Sequence, residues 1–211
     1  MFEIEYKGGN CVVFSTKKTT MVADPKISLI GLKDIKAKGG IELATEPRFV
    51  VDNSDARVII QAPGEYEVGD FYIRGVATHR HIDMESDEKL STVYHIDAGD
   101  FRIGLVGNIK STLNDDQLEA LGVVDILLIP VGGGGYTLDA TSASAIIRQA
   151  DPKIVIPIHY SDPALNYEVP QDSLEVFTKE LGAPVENVDK FKVKSAANLP
   201  QTLTVMVVKR S

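Results

Sequence analysis

Ile154-Val155-Ile156-Pro157-Ile158-His159-Tyr160 is a short apolar run, with three β-branched residues ahead of its proline and a histidine at its end. Such a run reads as a strand buried on both faces, the kind found inside an α/β sheet. Pro157 has no backbone N–H to give to a neighbour, so pairing is not expected to continue on both sides, and the chain should leave the sheet there. His159 then stands at the mouth of a buried strand, where α/β folds place their sites. A lone histidine in that position is more often satisfied by nearby backbone than used as a ligand. Its meaning depends on what the rest of the chain brings to it.

Working outward, Asp125 to Val131 reads as a second buried strand, followed by the glycine run Gly132 to Gly135. Asp139 caps a helix whose Ala143, Ile146, Ile147 and Ala150 share one face, and Asp151-Pro152 stops it. Before these, Asn114 is an N-cap with Gln117 at the capping-box position. Leu113 and Leu118 can form a hydrophobic staple, and Gly122 is the stop. After the opening strand, a helix from about Asp172 to Leu181 turns Leu174, Phe177 and Leu181 inward, and Leu203 to Val208 is a last strand. The N-terminal half is richer in strands: residues 2–6, Asn10 to Phe14, Thr20 to Ala23, Ile41 to Ala44, Arg48 to Val51, Arg57 to Gln61, Phe71 to Thr78, Ser91 to Asp97 and Phe101 to Val106. Strands come first, and strands alternating with helices follow. That order suggests an α/β fold, one domain over residues 1–211, with two sheets and helices outside them.

The 211 residues carry a net charge of −8. A chain of this length buries about 70% of its unfolded surface. The acid excess argues against nucleic acid or an anionic membrane as the main partner, while leaving room for a small anion in a local pocket or for a protein partner. The lone Cys11 cannot form an internal disulfide, which suits a reducing compartment. The first residues are acidic where a signal peptide would be basic, and no apolar run approaches the ~20 residues of a membrane span. A cytoplasmic location is expected.

Four stretches together carry a resemblance. They are Ala62-Pro63-Gly64-Glu65-Tyr66-Glu67-Val68, Ile73-Arg74-Gly75, Asp125 to Gly133, and Ile154 to Tyr160, with Asp24-Pro25 closing the third strand. The chain resembles the metallo-β-lactamase superfamily, and within it the small metal-dependent hydrolases similar to ascorbate-6-phosphate lactonase. The resemblance implies a four-layer αββα sandwich with its site along one edge of the two sheets. It also implies an H-x-H-x-D-H motif between the Asp-Pro strand and the Pro-Gly-Glu segment, holding one or two Zn²⁺ ions that activate a water. That interval here runs from Ile41 to Asn53 and contains no histidine. The metal-bridging aspartate implied after the central strand is met by Gly107-Asn108. Of the implied ligand set, His159 alone is clearly in place.

His79-x-His81-x-Asp83 mimics the first part of the missing motif, but in a different place. Residues two apart on a strand share a face, so His79 and His81 could bind one metal together, or one of them could line the pocket. An exposed polar loop is the plainer reading for metal binding. Gly132 to Gly135 could offer N–H groups to an anion, though a turn after a buried strand is the better reading. Tyr136 and Thr137 follow it and can line the same cleft. The lone His95 and the pair Glu65 and Glu67 read as structural.

Asp24, His79, His81, Asn108 and His159 are therefore the candidate pocket residues. No cofactor is expected, and no catalytic residue is assigned. The leading functional expectation is a degenerate member, a pseudoenzyme that has lost the dinuclear site and acts as a binding or structural module. The other is a hydrolase of a small phosphoester or lactone, with zinc on a reduced site of His79, His81 and His159. If Arg48 turns inward it could replace some of the lost positive charge, and its guanidinium would then suit Asp24 or a bound carboxylate or phosphate.

Overall fold

The structure is a computed structural model that describes residues 1–52, 54–81 and 90–211. The acidic stretch Met84 to Lys89, Asp83 of the mimic motif and Asn53 lie outside the described residues. In chain order the elements are β1 (Phe2–Gly8), β2 (Cys11–Ser15), β3 (Thr20–Ala23), β4 (Ile41–Leu43), β5 (Val58–Ile60), β6 (Gly64–Val68), β7 (Phe71–His79), β8 (Leu90–Ala98), β9 (Phe101–Leu105), α1 (Asp115–Leu121), β10 (Ile126–Pro130), α2 (Ala140–Ala150), β11 (Ile154–Ile158), α3 (Leu174–Leu181), β12 (Val185–Val188), β13 (Phe191–Val193) and β14 (Thr204–Val208). Among the described residues they form a six-stranded sheet in the order β13-β1-β2-β3-β4-β5 and an eight-stranded sheet in the order β12-β14-β11-β10-β9-β8-β7-β6.

The core between the sheets is built from alternate residues of both. Ile4, Phe14, Met21 and Leu43 come from the first sheet and Ile73, Ile96, Leu128 and Ile156 from the second. The helices cover the outer face of the second sheet, where Leu121, Ile146, Ile147 and Phe177 pack on Leu127, Ile129 and Val155. The outer layer of the first sheet is thinner. A 3₁₀ turn at Ile27–Ile30 and its flanking loop cover Cys11, Val13 and Val22. The result is the αββα architecture expected from the resemblance. No helix among the described residues is long and apolar enough to cross a membrane.

β11 behaves as its proline requires. It pairs with β10 over its whole length, Ile154 to Ile158. Its pairing with β14 stops after Val155, because Pro157 has no N–H to offer on that side. The strand expected over Arg48 to Val51 is instead a 3₁₀ turn at Pro47–Phe49. Pro47 holds φ near the helical value and cannot donate to a ladder, so it opens a turn rather than continuing a strand. β12 and β13 were not legible in the sequence. β12 is exposed and reads Val-Glu-Asn-Val, and β13 has three residues beside a lysine.

The N-terminus of α1 forms as its sequence pattern requires. Asn114 accepts from the Gln117 N–H at 2.8 Å, and the Gln117 side chain accepts from the Asn114 N–H at 3.0 Å. Asn114→Ala removes the cap, and a loss of about 1 kcal/mol is expected, a fall of roughly 2–4 °C in Tm for a chain of this size. Thermal unfolding checks it. An unchanged Tm would show that tertiary packing alone holds this helix end.

Candidate functional site

The site lies where β3, β4, β9, β10 and β11 all end, along one edge of the two sheets. β3 ends in Asp24 and β11 in His159, and both residues take left-handed backbone, at φ 46° and 49°. This turns each side chain out of its strand. Asp24 is buried. Its Oδ1 accepts from the Thr45 N–H and its Oδ2 from the Thr45 hydroxyl, each at 2.7 Å. Burial pushes the Asp24 carboxyl up to about 7, despite the two Thr45 bonds, and the neighbouring Glu46 pushes the same way.

Glu46, just after β4, is 2% exposed. Its Oε2 lies 2.9 Å from Nε of Arg48 and 2.9 Å from Nε of Arg80. The Arg48 Nε contact is charge on charge, away from the N–H direction, and the Arg48 hydrogen bond to Glu46 runs from Nη2 to Oε1 at 3.3 Å. Burial raises the Glu46 carboxyl above its ordinary value, and the two guanidiniums offset only part of that rise. Arg48 also donates to the Tyr136 hydroxyl, and its guanidinium lies over the rings of Phe49 and Tyr136, 4.7 and 5.3 Å from their centroids. Arg48 thus turns inward onto Glu46 and Tyr136 rather than into a direct bond with Asp24.

A directional relay runs from Glu46 to His159. The ionised carboxylate can only accept, so Asn108 must turn its amide nitrogen to it, at 3.4 Å. The Asn108 oxygen then accepts from Asn10 Nδ2 at 3.1 Å. Asn10 Oδ1 faces Nδ1 of His159 at 2.9 Å and can only accept there, so Nδ1 carries the proton. His159 Nε2 is therefore a bare lone pair, and it is buried without a partner. Burial, with Arg48 adding to it, pushes the imidazole down to about 3, so it is neutral at physiological pH. The ring stacks on Tyr167 at 5.0 Å and meets Tyr136 at 5.5 Å. His159 faces a narrow cavity of about 30 Å³, whose walls include Asp24, Lys26, Phe49, Tyr136, Tyr167 and Gln171.

The glycine run lets the chain close over this cavity. A Cβ on Gly132 would sit 2.3 Å from the His159 carbonyl oxygen, and one on Gly134 would sit 2.3 Å from that of Pro170. The Gly133 N–H bonds to Leu138 O, while Tyr136 and Thr137 donate back to Gly133 O. The loop is a closed turn that presents Tyr136 to the site.

Of the five residues expected to share a pocket, Asp24 and His159 line the cavity, and Asn108 joins His159 through Asn10. The His81 N–H donates to the Asn108 carbonyl at 3.1 Å, and the half-buried imidazole is lowered by burial, with Asp139 opposing. His79 does not join them. It is exposed at the end of β7, with its carbonyl bonded to the Lys110 N–H. β7 stops at His79, so the two-residue strand period that would align it with His81 no longer applies. His95 is packed under α1, its Nδ1 2.6 Å from Leu121 O. Glu65 and Glu67 are exposed on β6.

Residues 3–159 match the family model described as the beta-lactamase superfamily domain. The chain belongs to the beta-lactamase superfamily. A UPF0173 metal-dependent hydrolase from Methanosphaera stadtmanae is 34% identical over 108 residues, which are 51% of this chain and 38% of that relative's length. Among solved structures, a Thermotoga maritima protein of the metallo-beta-lactamase superfamily aligns with a TM-score of 0.78 at 22% identity, covering 99% of this chain and 100% of its own. Igni18, a metallo hydrolase from Ignicoccus hospitalis, aligns with a TM-score of 0.65 at 15% identity, over 92% of this chain and 99% of its own. At these identities the structural likenesses establish the fold.

The zinc centre that the resemblance implies can be tested against the donor set of this edge. Among the described residues, no three His, Cys, Asp or Glu side chains come together to hold a metal ion. Glu46 is engaged by two guanidiniums and Asp24 by Thr45, which leaves His159 Nε2 as an open nitrogen ligand at this edge. Arg48 disfavours a proton on His159, and the same repulsion acts on a dication at that nitrogen. These residues do not fit a dinuclear zinc centre.

The residues hidden from sequence reasoning were Asn10, Thr45, Glu46, Arg80 and Tyr167. Asn10 is expected only as the first residue of a strand, yet it is buried. Glu46 carried a readable signal, since a charged residue directly after an apolar strand must find a partner if it is buried.

Proposed function

We propose that this chain is a degenerate member of its superfamily, without the dinuclear zinc site, and acts as a binding or structural module. What supports this reading is Glu46 held between Arg48 and Arg80, with Asn108 alongside, in the interval where the family carries its metal motif. Two guanidiniums supply there the positive charge that zinc would bring, and they draw a carboxylate away from metal ligation. The cavity at His159 favours a binding role over a purely structural one. The single, buried Cys11 and the net negative charge suit a soluble protein of a reducing cytoplasm.

The second reading is a hydrolase on a reduced metal site. It draws on the name of the Methanosphaera relative and on the free His159 Nε2. It also needs further protein donors, and exposed His79 is a poor one.

Metal analysis of protein purified without added zinc separates the two. The expected result is far less than one zinc per chain, with Tm unchanged by EDTA, because no metal-binding free energy contributes to folding. One or more tightly bound zinc ions per chain, with hydrolysis of lactone or phosphodiester substrates lost on chelation, rejects the proposal.

A further inference from the structure

The polarity of the cavity wall points to the kind of molecule it takes. His159 is 4% exposed. Its Nδ1 is committed to Asn10, and the relay from Glu46 prevents the ring from exchanging its two nitrogens. Nε2 is left as an acceptor with no donor. A second acceptor, Gln171 Oε1, is also buried without a partner, its amide nitrogen being bonded to Val169 O at 3.0 Å. Both oxygens of Asp24 already accept from Thr45. Of the cations near this edge, Lys26 is paired with Asp52 at 3.1 Å, and Arg48 is turned onto Glu46 and Tyr136. The rest of the wall is mostly apolar or aromatic, including Ile27, Ile30, Phe49 and Val169, with the Glu168 carboxylate and the Tyr167 hydroxyl as its remaining side-chain polar groups. An anion would meet the His159 Nε2 and Gln171 Oε1 lone pairs and the Glu168 carboxylate there, and a molecule without a donor would leave Nε2 unsatisfied. An unmet buried acceptor is costly, so a ligand that supplies a donor gains what its analogue without one cannot.

We infer that the cavity at His159 binds a compact, uncharged molecule through an N–H or O–H donated to Nε2, with an apolar or planar body between the rings of Tyr136, Tyr167 and Phe49. The inference rests on the metal-free reading of the site and names its ligand class. It departs from the small anion that composition left open.

Three probes share one trigonal frame and differ only in donor and charge: acetamide, acetone and acetate. In protein labelled with ¹⁵N-histidine at neutral pH, His159 Nε2 is followed by its own ring correlations while each probe is added at high millimolar concentration. Acetamide is expected to shift the Nε2 resonance upfield in a saturable way, as a bare nitrogen does on accepting a hydrogen bond. Acetone and acetate are expected to leave it in place. The inference is overturned if acetate shifts the resonance, or if acetone matches acetamide. It is also overturned if Nε2 already resonates as a hydrogen-bonded nitrogen that no probe moves, which would mean a resident water only. A zinc titration of the same sample separates the two levels. If zinc moves Nε2 and EDTA reverses the change, the metal-free reading fails and the inference with it. If neither acetamide nor zinc moves it, the inference alone fails.

Discussion

Replacing Glu46 by glutamine is expected to lower the stability of the protein by about 3 kcal/mol, which is a fall of roughly 6–12 °C in Tm for a chain of this length. The carboxylate is 2% exposed, while its partners Arg48 and Arg80 keep 29% and 16% of their side-chain surface in water. Removing one member of a buried pair leaves the other charge uncompensated, at a cost of about 3–5 kcal/mol. Partial hydration of the two guanidiniums places the expectation at the lower end. The amide also loses the property that orients the relay. A carboxylate presents only acceptors to Asn108, whereas a glutamine can present either end. Denaturant unfolding of wild type and Glu46→Gln, with m-values compared, measures the loss. A difference below about 1 kcal/mol would be the value of a solvated surface pair, and would remove Glu46 as the anchor of the site.

Asp24→Asn is expected to stabilise the protein increasingly as pH rises from about 4 to above 7. The folded-state carboxyl sits at about 7 against an ordinary value of 3.8. A carboxyl raised on folding favours the native state below its unfolded value, and that contribution is lost as pH rises through the folded value. At ~1.36 kcal/mol per unit, the contribution lost is about 4 kcal/mol. Asparagine fits the position. It tolerates left-handed backbone, and it can accept from the Thr45 N–H while donating to the Thr45 hydroxyl. His159 acts in the opposite sense. Its folded value of about 3 against 6.5 means that the unfolded chain binds the extra proton, so its contribution is present above 6.5 and is lost as pH falls toward 3. Between about pH 4 and 6.5 the native state holds a proton on Asp24 and the unfolded state holds one on His159. The two slopes cancel in the wild type. Asp24→Asn removes one of them, so acidification below 6.5 should then destabilise the variant more steeply than wild type. Urea unfolding from pH 4 to 8 reads both effects. A variant-minus-wild-type difference that stays flat would mean that Asp24 is ionised in the native state throughout.

The sequence made the frame legible because local signals agreed with the global fold. The apolar runs of β10 and β11, the capping box of α1 and the Asp139 cap of α2 each point to one structure. The edge that carries the site was only half legible. Asp24 and His159 could be found because each stands where a strand stops. The relay from Glu46 through Asn108 and Asn10 to His159 could not, because its members are far apart in sequence and Asn10 and Glu46 each have an ordinary surface role available to them. Pro47 signalled the turn that replaces the expected strand at Arg48 to Val51. His79 and His81 misled through a spacing rule that holds only while the strand continues.

The left-handed backbone at Asp24 and His159 has a consequence for how the two side chains are held. Both residues bend their strands into a conformation that most side chains enter at a cost of about 1–2 kcal/mol, and that glycine enters freely. Aspartate and histidine tolerate it better than most, but neither is the residue that stability alone would place there. Glycine at either position would relieve that strain but lose the two Asp24 bonds to Thr45 or the His159 bond to Asn10. The backbone strain at the two strand ends is thus held by side-chain bonds that only these polar residues make there. The two bends, arriving from opposite sheets, are where a search for this chain's natural ligand should begin.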